Sequence, residues 1–445
     1  VIRRGTLAVV CVAQFVDVLG VTIAVIALPS LGRTFPAGHT ELQWVVSGYA
    51  LVFGGLLVAA GRAADRYGQR RTFLAGLAVL LAASMVGASA PTILVLITAR
   101  AVQGLAAAFM VPSALALLLI AYPDDTERHR ALGVWTAAGA VGGAAGFLAG
   151  GLLVEAAGWR SVFLVNVPIC AAALIVAPLV LPADVPARTN EPADLLGAVL
   201  ATVGLLGVLT GLTTVTGRPR LVVLLAAVLA LAAFAIVERR TRNPLMPSRF
   251  VRSGRFVAAL VIGCLLTCTT TPASVLGTIF LQDRLGYPAG ATGLMFAPFS
   301  LAVVLGSWLS TRLGGRWGHR ATALAGLLAL ITAMVVCTVA VLVGSSQVFV
   351  LGLVISGTGL GCVSVTVTTA GTAMLADSDK GIAGGLLNAT PQIGSALGTA
   401  VATGVADMWT LVGGYLLAVG LAAVGVVATA ALPGRVEIGV GAGSR

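Results

Sequence analysis

Charge is what this chain has least of. Asp, Glu, Lys and Arg make up 10% of its 445 residues, where a soluble domain carries about 25%. That is too little polar surface to cover a globule in water, so the solvent of most of the chain is lipid. Acids are rarer than bases, 16 against 27. The resulting net charge of +11 does not mark a nucleic-acid binder, because the basic residues lie scattered between apolar runs and form no single patch. The three histidines, His39, His129 and His319, all fall in predicted loops, which argues against a His proton relay buried in the membrane. The six cysteines (Cys11, Cys170, Cys264, Cys268, Cys337 and Cys362) fall inside apolar runs. Cys264 and Cys268 share a helix face, but no third soft ligand lies near them in sequence, so they read as packing residues and no metal site is expected. No G-x-x-x-x-G-K-[ST] loop occurs, so ATP drive would need a separate subunit. The apolar–polar alternation of a transmembrane barrel strand is missing too. No nucleophile, metal cluster or cofactor motif stands out, so an enzyme is not expected.

What the chain does have is long apolar runs. Hydrophobic residues make up 58% of it and the mean hydropathy is +1.03. The runs last about 20 residues, the length at which an α-helix crosses the hydrocarbon layer. Fourteen spans can be drawn, near 6–30, 44–61, 72–90, 93–120, 131–156, 161–181, 195–213, 220–237, 256–281, 291–311, 321–343, 347–375, 383–406 and 409–432. The first follows Arg3 and Arg4 and is too long for a signal-peptide core, so it reads as a retained helix. The 56 glycines suit helices that approach closely in lipid. Loops on the N-terminal side hold 21 of the 27 basic residues, the opposite loops hold five, and Arg100 lies inside a span. That asymmetry predicts cytoplasmic termini.

One segment recurs. Gly61–Leu77 (GRAADRYGQRRTFLAGL) returns 250 residues later as Thr311–Leu327 (TRLGGRWGHRATALAGL), with nine of seventeen positions identical. Arg62, Arg66, Gly68, Arg70 and Thr72 match Arg312, Arg316, Gly318, Arg320 and Thr322, and the run LAGL closes both copies. Each copy reads as a short basic loop between two spans. The copies follow spans 2 and 10, so spans 1–6 match spans 9–14 and spans 7 and 8 are an insertion. The expected domains are a six-helix half over 1–181, linkers with two inserted helices over 182–255, a second six-helix half over 256–432 and a cytoplasmic tail over 433–445. A parallel repeat about an axis along the membrane normal is a transporter design, with the substrate path between the halves.

Few polar residues sit inside the spans, and they are the candidates for chemistry. Asp17 lies about mid-bilayer in span 1, where an acid costs ~2.5–3.5 kcal/mol on insertion scales. It reads as a proton or substrate site, or as a structural hydrogen bond to a neighbouring helix. Gln14 lies one turn earlier on the same face. Arg100 on span 4 is always charged and needs a counter-charge, water or carbonyl oxygens. Pairing with Asp17 would put the two in one proton-coupling site. In the repeated loop, Gly61, Asp65, Arg66, Gly68, Arg70 and Arg71 form either a plain positive-inside loop or a charge latch around Asp65; Gly315 stands at the Asp65 position in the second copy. Span 5 carries Gly139, Gly143, Gly146, Gly150 and Gly151, a flat face for close packing, with or without a coupling role. Asn388 and Gln392, one turn apart on span 13, line the substrate path or bond between helices. Tyr49 and Gln103 join Gln14 as path candidates.

These residues resemble the major facilitator superfamily, and within it the fourteen-helix drug:proton antiporter branch common in antibiotic-producing actinobacteria. GRAADRYGQRR is similar to the superfamily signature between helices 2 and 3. RAVQG is similar to its Arg-x-x-Gln-Gly signature in helix 4, and FVDVLGVTIAVIALP to the first-helix signature of the branch. GWRSVFLVNVP, RNPLMP and LLNATPQIGSALG also resemble the branch, so the likeness spans nearly the whole chain. It implies an all-α membrane protein of the major facilitator fold. It also implies proton-driven export of a hydrophobic or amphipathic small molecule across the cytoplasmic membrane by alternating access. No cofactor beyond the coupling proton is implied, and no nucleic acid or ATP; the expected unit is a monomer in the bilayer. Three positions depart from the branch. Gly20 stands where many members have a second acid, Phe147 where the helix-5 signature has proline, and Pro391 where the helix-13 signature has arginine. The departures leave two rival readings open: uptake or facilitated transport of a metabolite, and a membrane sensor that no longer transports.

Overall fold

The computed structural model of the protein describes residues 2–184, 195–213, 218–241, 244, 250, 252–372, 380–408 and 410–432, and the only regular structure among them is helix. Fourteen helices of 15 residues or more follow in order. The first six are α1 (Ile2–Thr34), α2 (Trp44–Tyr67), α3 (Gln69–Ala88), α4 (Ile93–Ala121), α5 (Asp125–Ala157) and α6 (Asn166–Val180). Then come α7 (Leu195–Thr213) and α8 (Arg218–Arg240). The last six are α9 (Gly254–Ile279), α10 (Ala289–Trp317), α11 (His319–Val343), α12 (Ser346–Thr372), α13 (Lys380–Met408) and α14 (Leu411–Ala428). Among the described residues twelve helical stretches are long and apolar enough to cross a membrane; α7, with a shorter apolar part at Leu196–Gly211, and α13 lie outside that set.

The repeat in sequence is a repeat in packing. In the first six helices α5 lies along α1, α4 lies against α1, α2 and α3, and α6 lies against α1 and α3. In the last six, α13 lies along α9, α12 against α9, α10 and α11, and α14 against α9 and α11. Each of these pairs reappears with its numbers raised by eight. The two bundles meet along two seams, α5 on α10 and α2 on α13, which exchange under the same operation, and α1 touches α9. The hairpin α7–α8 sits outside. Its α7 packs on α2 and also touches α13: Thr202 covers Gly55, and Leu209 joins Ala50, Leu51, Ala396 and Ala400. The α8 residues Leu221, Val222, Leu225 and Leu229 are exposed, as a face turned to acyl chains requires.

The repeated segments, expected as loops, are mostly helix. α2 runs to Tyr67 and α3 begins at Gln69; α10 runs to Trp317 and α11 begins at His319. Only Gly68 and Gly318 stand outside helix, at φ +101° and +84°, where a side chain is strained. Hydropathy marks where lipid ends, but alanine and arginine carry a helix on into water. Gly61 is therefore inside α2 and does not flank a turn. The symmetry reaches single bonds, since the hydroxyls of Thr72 and Thr322 donate to the carbonyls of Gly68 and Gly318, each at 2.8 Å. All three histidines expected in loops are helical as well: His39 opens a short helix (His39–Leu42), His129 lies within α5 and His319 opens α11.

Candidate functional site

Asp17 is the one buried acid among the described residues and Arg100 the one buried base, 8% and 2% exposed. α1 brings Asp17 to the inside of the first bundle, where the Tyr49 hydroxyl of α2 donates to its Oδ1 at 2.5 Å. The Tyr49 ring in turn lies under the Arg100 guanidinium of α4, 4.4 Å from Cζ to the ring centroid, a cation–π contact strengthened by the absence of water. Arg100 Nε donates to the Val45 carbonyl and a terminal nitrogen to Gln103 Oε1, each at 2.8 Å. Gln103 Nε2 donates to Ser84 Oγ of α3 at 2.9 Å, and Ser84 donates to the Leu80 carbonyl. One network thus links four helices.

The spacing R-x-x-Q-G has a local reason. Arg100, Gln103 and Gly104 lie three and four residues apart and share one face of α4. A Cβ at Gly104 would overlap the backbone of Tyr49. Glycine there lets α2 come close enough for Val45 to accept from the guanidinium and for the Tyr49 ring to slide beneath it.

The expected direct pair of Asp17 and Arg100 does not form; ion pairs among the described residues include Arg3–Glu127 and Arg71–Asp184. The phenol of Tyr49 stands between acid and base, because Arg100 spends its reach on Val45 and Gln103. Arg100 Nη2 has no hydrogen-bond partner. Of the path candidates, Tyr49 and Gln103 belong to this network and the others do not. Gln14 faces α5, with Nε2 3.0 Å from where a Cβ at Gly139 would sit, and its Oε1 has no partner. Asn388 is exposed and donates to Gly384 of its own helix, while Gln392 packs over Gly54 on the α2–α13 seam. Ser84 carried no signal in the sequence, being one hydroxyl in an apolar helix.

The glycines of α5 are a groove for α1. Gly139, Gly142, Gly143, Gly146 and Gly150 pack in turn on Gln14, Phe15, Val18, Thr22 and Ile23, and Gly151 meets Ala289 at the start of α10. Phe147, in the proline position, stacks on Phe296 of α10 at 4.7 Å and meets Phe299 edge-on at 6.1 Å. Further cross-bundle bonds run from Gly290 N to Glu155 Oε2 (3.0 Å), from Gln282 Nε2 to the Ile26 carbonyl (3.1 Å) and from Ser47 Oγ to the Ala396 carbonyl (3.2 Å). These contacts lie toward the helix ends remote from Gly68 and Gly318. At the near end, Asp65 accepts from Gln69 Nε2 at 2.7 Å. Arg66 lies over the Tyr67 ring. Pro391 lies inside α13, where its carbonyl accepts from Thr267 of α9.

A sequence model for the Major Facilitator Superfamily matches residues 10–399 and 258–438. The multidrug resistance protein Stp of Mycobacterium tuberculosis is 37% identical over 91% of this chain and 76% of its own length. The cephamycin export protein of Amycolatopsis lactamdurans is 36% identical over 89% of this chain and 83% of its own length. Among solved structures, the nucleoside transporter NupG superposes with a TM-score of 0.68 over 97% of this chain and 99% of its own, at 13% identity.

Proposed function

The chain belongs to the Major Facilitator Superfamily, whose members are membrane transporters and not enzymes, and on that premise we propose that it exports antibiotics and other hydrophobic or amphipathic small molecules across the cytoplasmic membrane in exchange for protons. The observation that carries the reading is the buried carboxylate of Asp17, held by a phenol and faced by a buried guanidinium across that ring. In a chain this poor in acids it is the group best placed to take and release a proton inside the bundle. Relatives named for multidrug resistance and for cephamycin export support the cargo class and the direction.

In this reading α7 and α13 also cross, giving fourteen spans, two six-helix halves and both termini in the cytoplasm. The protein works as a monomer in the bilayer. The bundles hold together at their remote ends, so the path opens toward Gly68 and Gly318, on the cytoplasmic side. Cargo enters there between the bundles. When the bundles rock the other way, Asp17 takes a proton from outside. The neutral acid no longer balances Arg100, which favours return. One charge moving down ~100 mV supplies about 2.3 kcal/mol, enough for roughly a fifty-fold gradient per proton.

The test uses everted membrane vesicles loaded by acidifying their interior. Wild type is expected to accumulate ethidium and to confer resistance in a pump-deficient host, and Asp17→Asn to do neither while reaching the membrane in normal amount. Accumulation that is indifferent to Asp17→Asn would remove the acid from the coupling step.

A further inference from the structure

We propose that Asp184 is a positioning residue for the first copy of the repeated turn, holding it against the end of the first bundle. Asp184 lies four residues beyond the end of α6, at the head of the linker to α7–α8. Its Oδ1 accepts from the Arg70 amide at 2.7 Å and its Oδ2 from the Arg71 amide at 3.3 Å. Those amides are among the first donors of α3, which have no partner within the helix. A carboxylate there satisfies them and sits at the positive end of the helix dipole. The cap comes from 114 residues away, so it ties two parts of the bundle together.

Three details favour the backbone cap over a surface ion pair. The Asp184 side chain is 18% exposed, whereas that of Arg71, 3.7 Å away, is 83% exposed, so the ion pair adds little. Gly68 is needed twice, for its φ of +101° and because a Cβ there would overlap the Asp184 carboxylate. Arg70 reaches back to the Pro178 carbonyl of α6 at 2.6 Å, clamping the same two elements from the other side. Arg62, in the last two turns of α2, also donates to the Pro244 carbonyl, in the linker on the far side of α7–α8. The repeated segment is therefore tied to both linkers of the inserted hairpin.

The repeat continues at this point. Leu181-Pro182-Ala183-Asp184-Val185 is matched by Leu432-Pro433-Gly434-Arg435-Val436, so arginine replaces the acid in the second half. Asp65 and Gly315 differ in the same sense.

The inference rests on the export reading, and two readouts separate their failures. Hydrogen exchange on the purified full-length protein reports the cap directly. Asp184→Ala is expected to speed exchange at the Arg70 and Arg71 amides about ten-fold, with α9–α14 unchanged. Ethidium transport in everted vesicles is expected to lose about ten-fold in maximal rate at unchanged KM, and Asp184→Glu to recover part of both effects. Unchanged exchange overturns the proposal. So does faster exchange with an unchanged rate, which leaves Asp184 a mere helix cap, or a loss shared between rate and KM. If Asp184→Ala does not reach the membrane, Asp184→Asn, which keeps one acceptor oxygen, carries the same two measurements. If wild type moves no ethidium, the export reading fails on that probe and the exchange data alone decide the cap.

Discussion

A buried acid and a buried base on neighbouring helices of one bundle would ordinarily be expected to form a salt bridge. Here the phenol of Tyr49 separates them, bonding one and stacking under the other. That arrangement suits a group that must change charge, because losing the carboxylate charge breaks no ion pair and strands no hydrogen-bond donor: a protonated acid can still accept from the phenol. The two ionised residues were legible in the sequence, since a charge inside a span is rare. Tyr49 was legible only as a polar group, because its place between α1 and α4 depends on how closely α2 approaches. Gly104 sets that approach, and Gly20 gives the contrast. A Cβ at Gly104 overlaps the Tyr49 backbone, whereas one at Gly20 meets nothing within 4 Å. Gly104→Ala is expected to cost about 1–3 kcal/mol through overpacking. Gly20→Ala is expected to be neutral, or to stabilise by about 0.5–1 kcal/mol through the helix preference of alanine. Thermal unfolding of the two variants in one detergent would settle the ordering; equal losses would mean that Gly104 does not govern the contact.

Helices, more than loops, carry the devices that set this transporter apart. The loss of proline from the helix-5 signature reads in the sequence as damage to an antiporter motif. In the fold the substituted Phe147 is an aromatic contact between bundles, part of a chain of rings that continues from Phe296 to Phe349 and Tyr415. The sequence could not reveal this, because the partner ring lies in the other bundle and nothing in the local pattern of α5 points to it. Offset-stacked rings contribute about 0.5–1.5 kcal/mol beyond their area, a few-fold to roughly ten-fold on a two-state equilibrium. Phe147→Ala is therefore expected to shift the resting population toward separation of α5 from α10 by about that factor. Spin labels placed near the remote ends of the two helices would report it as growth of the longer distance. A distribution identical to wild type would mean that the glycine contacts at Gly151 and Gly293 hold the seam without the rings. The same scale explains why the repeated segments looked like loops: hydropathy falls at the lipid boundary, about six residues before α2 ends, and only the left-handed glycine marks the break.

At the scale of the whole molecule, the repeated segment was enough to pair the helices of one bundle with those of the other. It did not say which helices form the seams, nor that the inserted α7 lies over the junction of α2 and α13. Seams are made by faces, and a face appears only when helices are placed side by side. Both seams must loosen at their remote ends if the bundles rock as rigid bodies, since one operation relates them. This can be tested at the α2–α13 seam, where Ser47 Oγ bonds the Ala396 carbonyl. A Ser47→Cys, Ala396→Cys double variant, bridged by a short bifunctional thiol reagent, is expected to lose ethidium transport in proportion to the fraction bridged. Transport should return on reduction, and each single variant given the same reagent should keep it. The native cysteines make those single variants necessary controls, because Cys264 and Cys268 lie on α9, against the same α13. Full bridging with undiminished transport would mean that this seam stays shut through the cycle. Movement would then have to be confined to α5 and α10, and the two-fold relation between the bundles would be a relation of structure only.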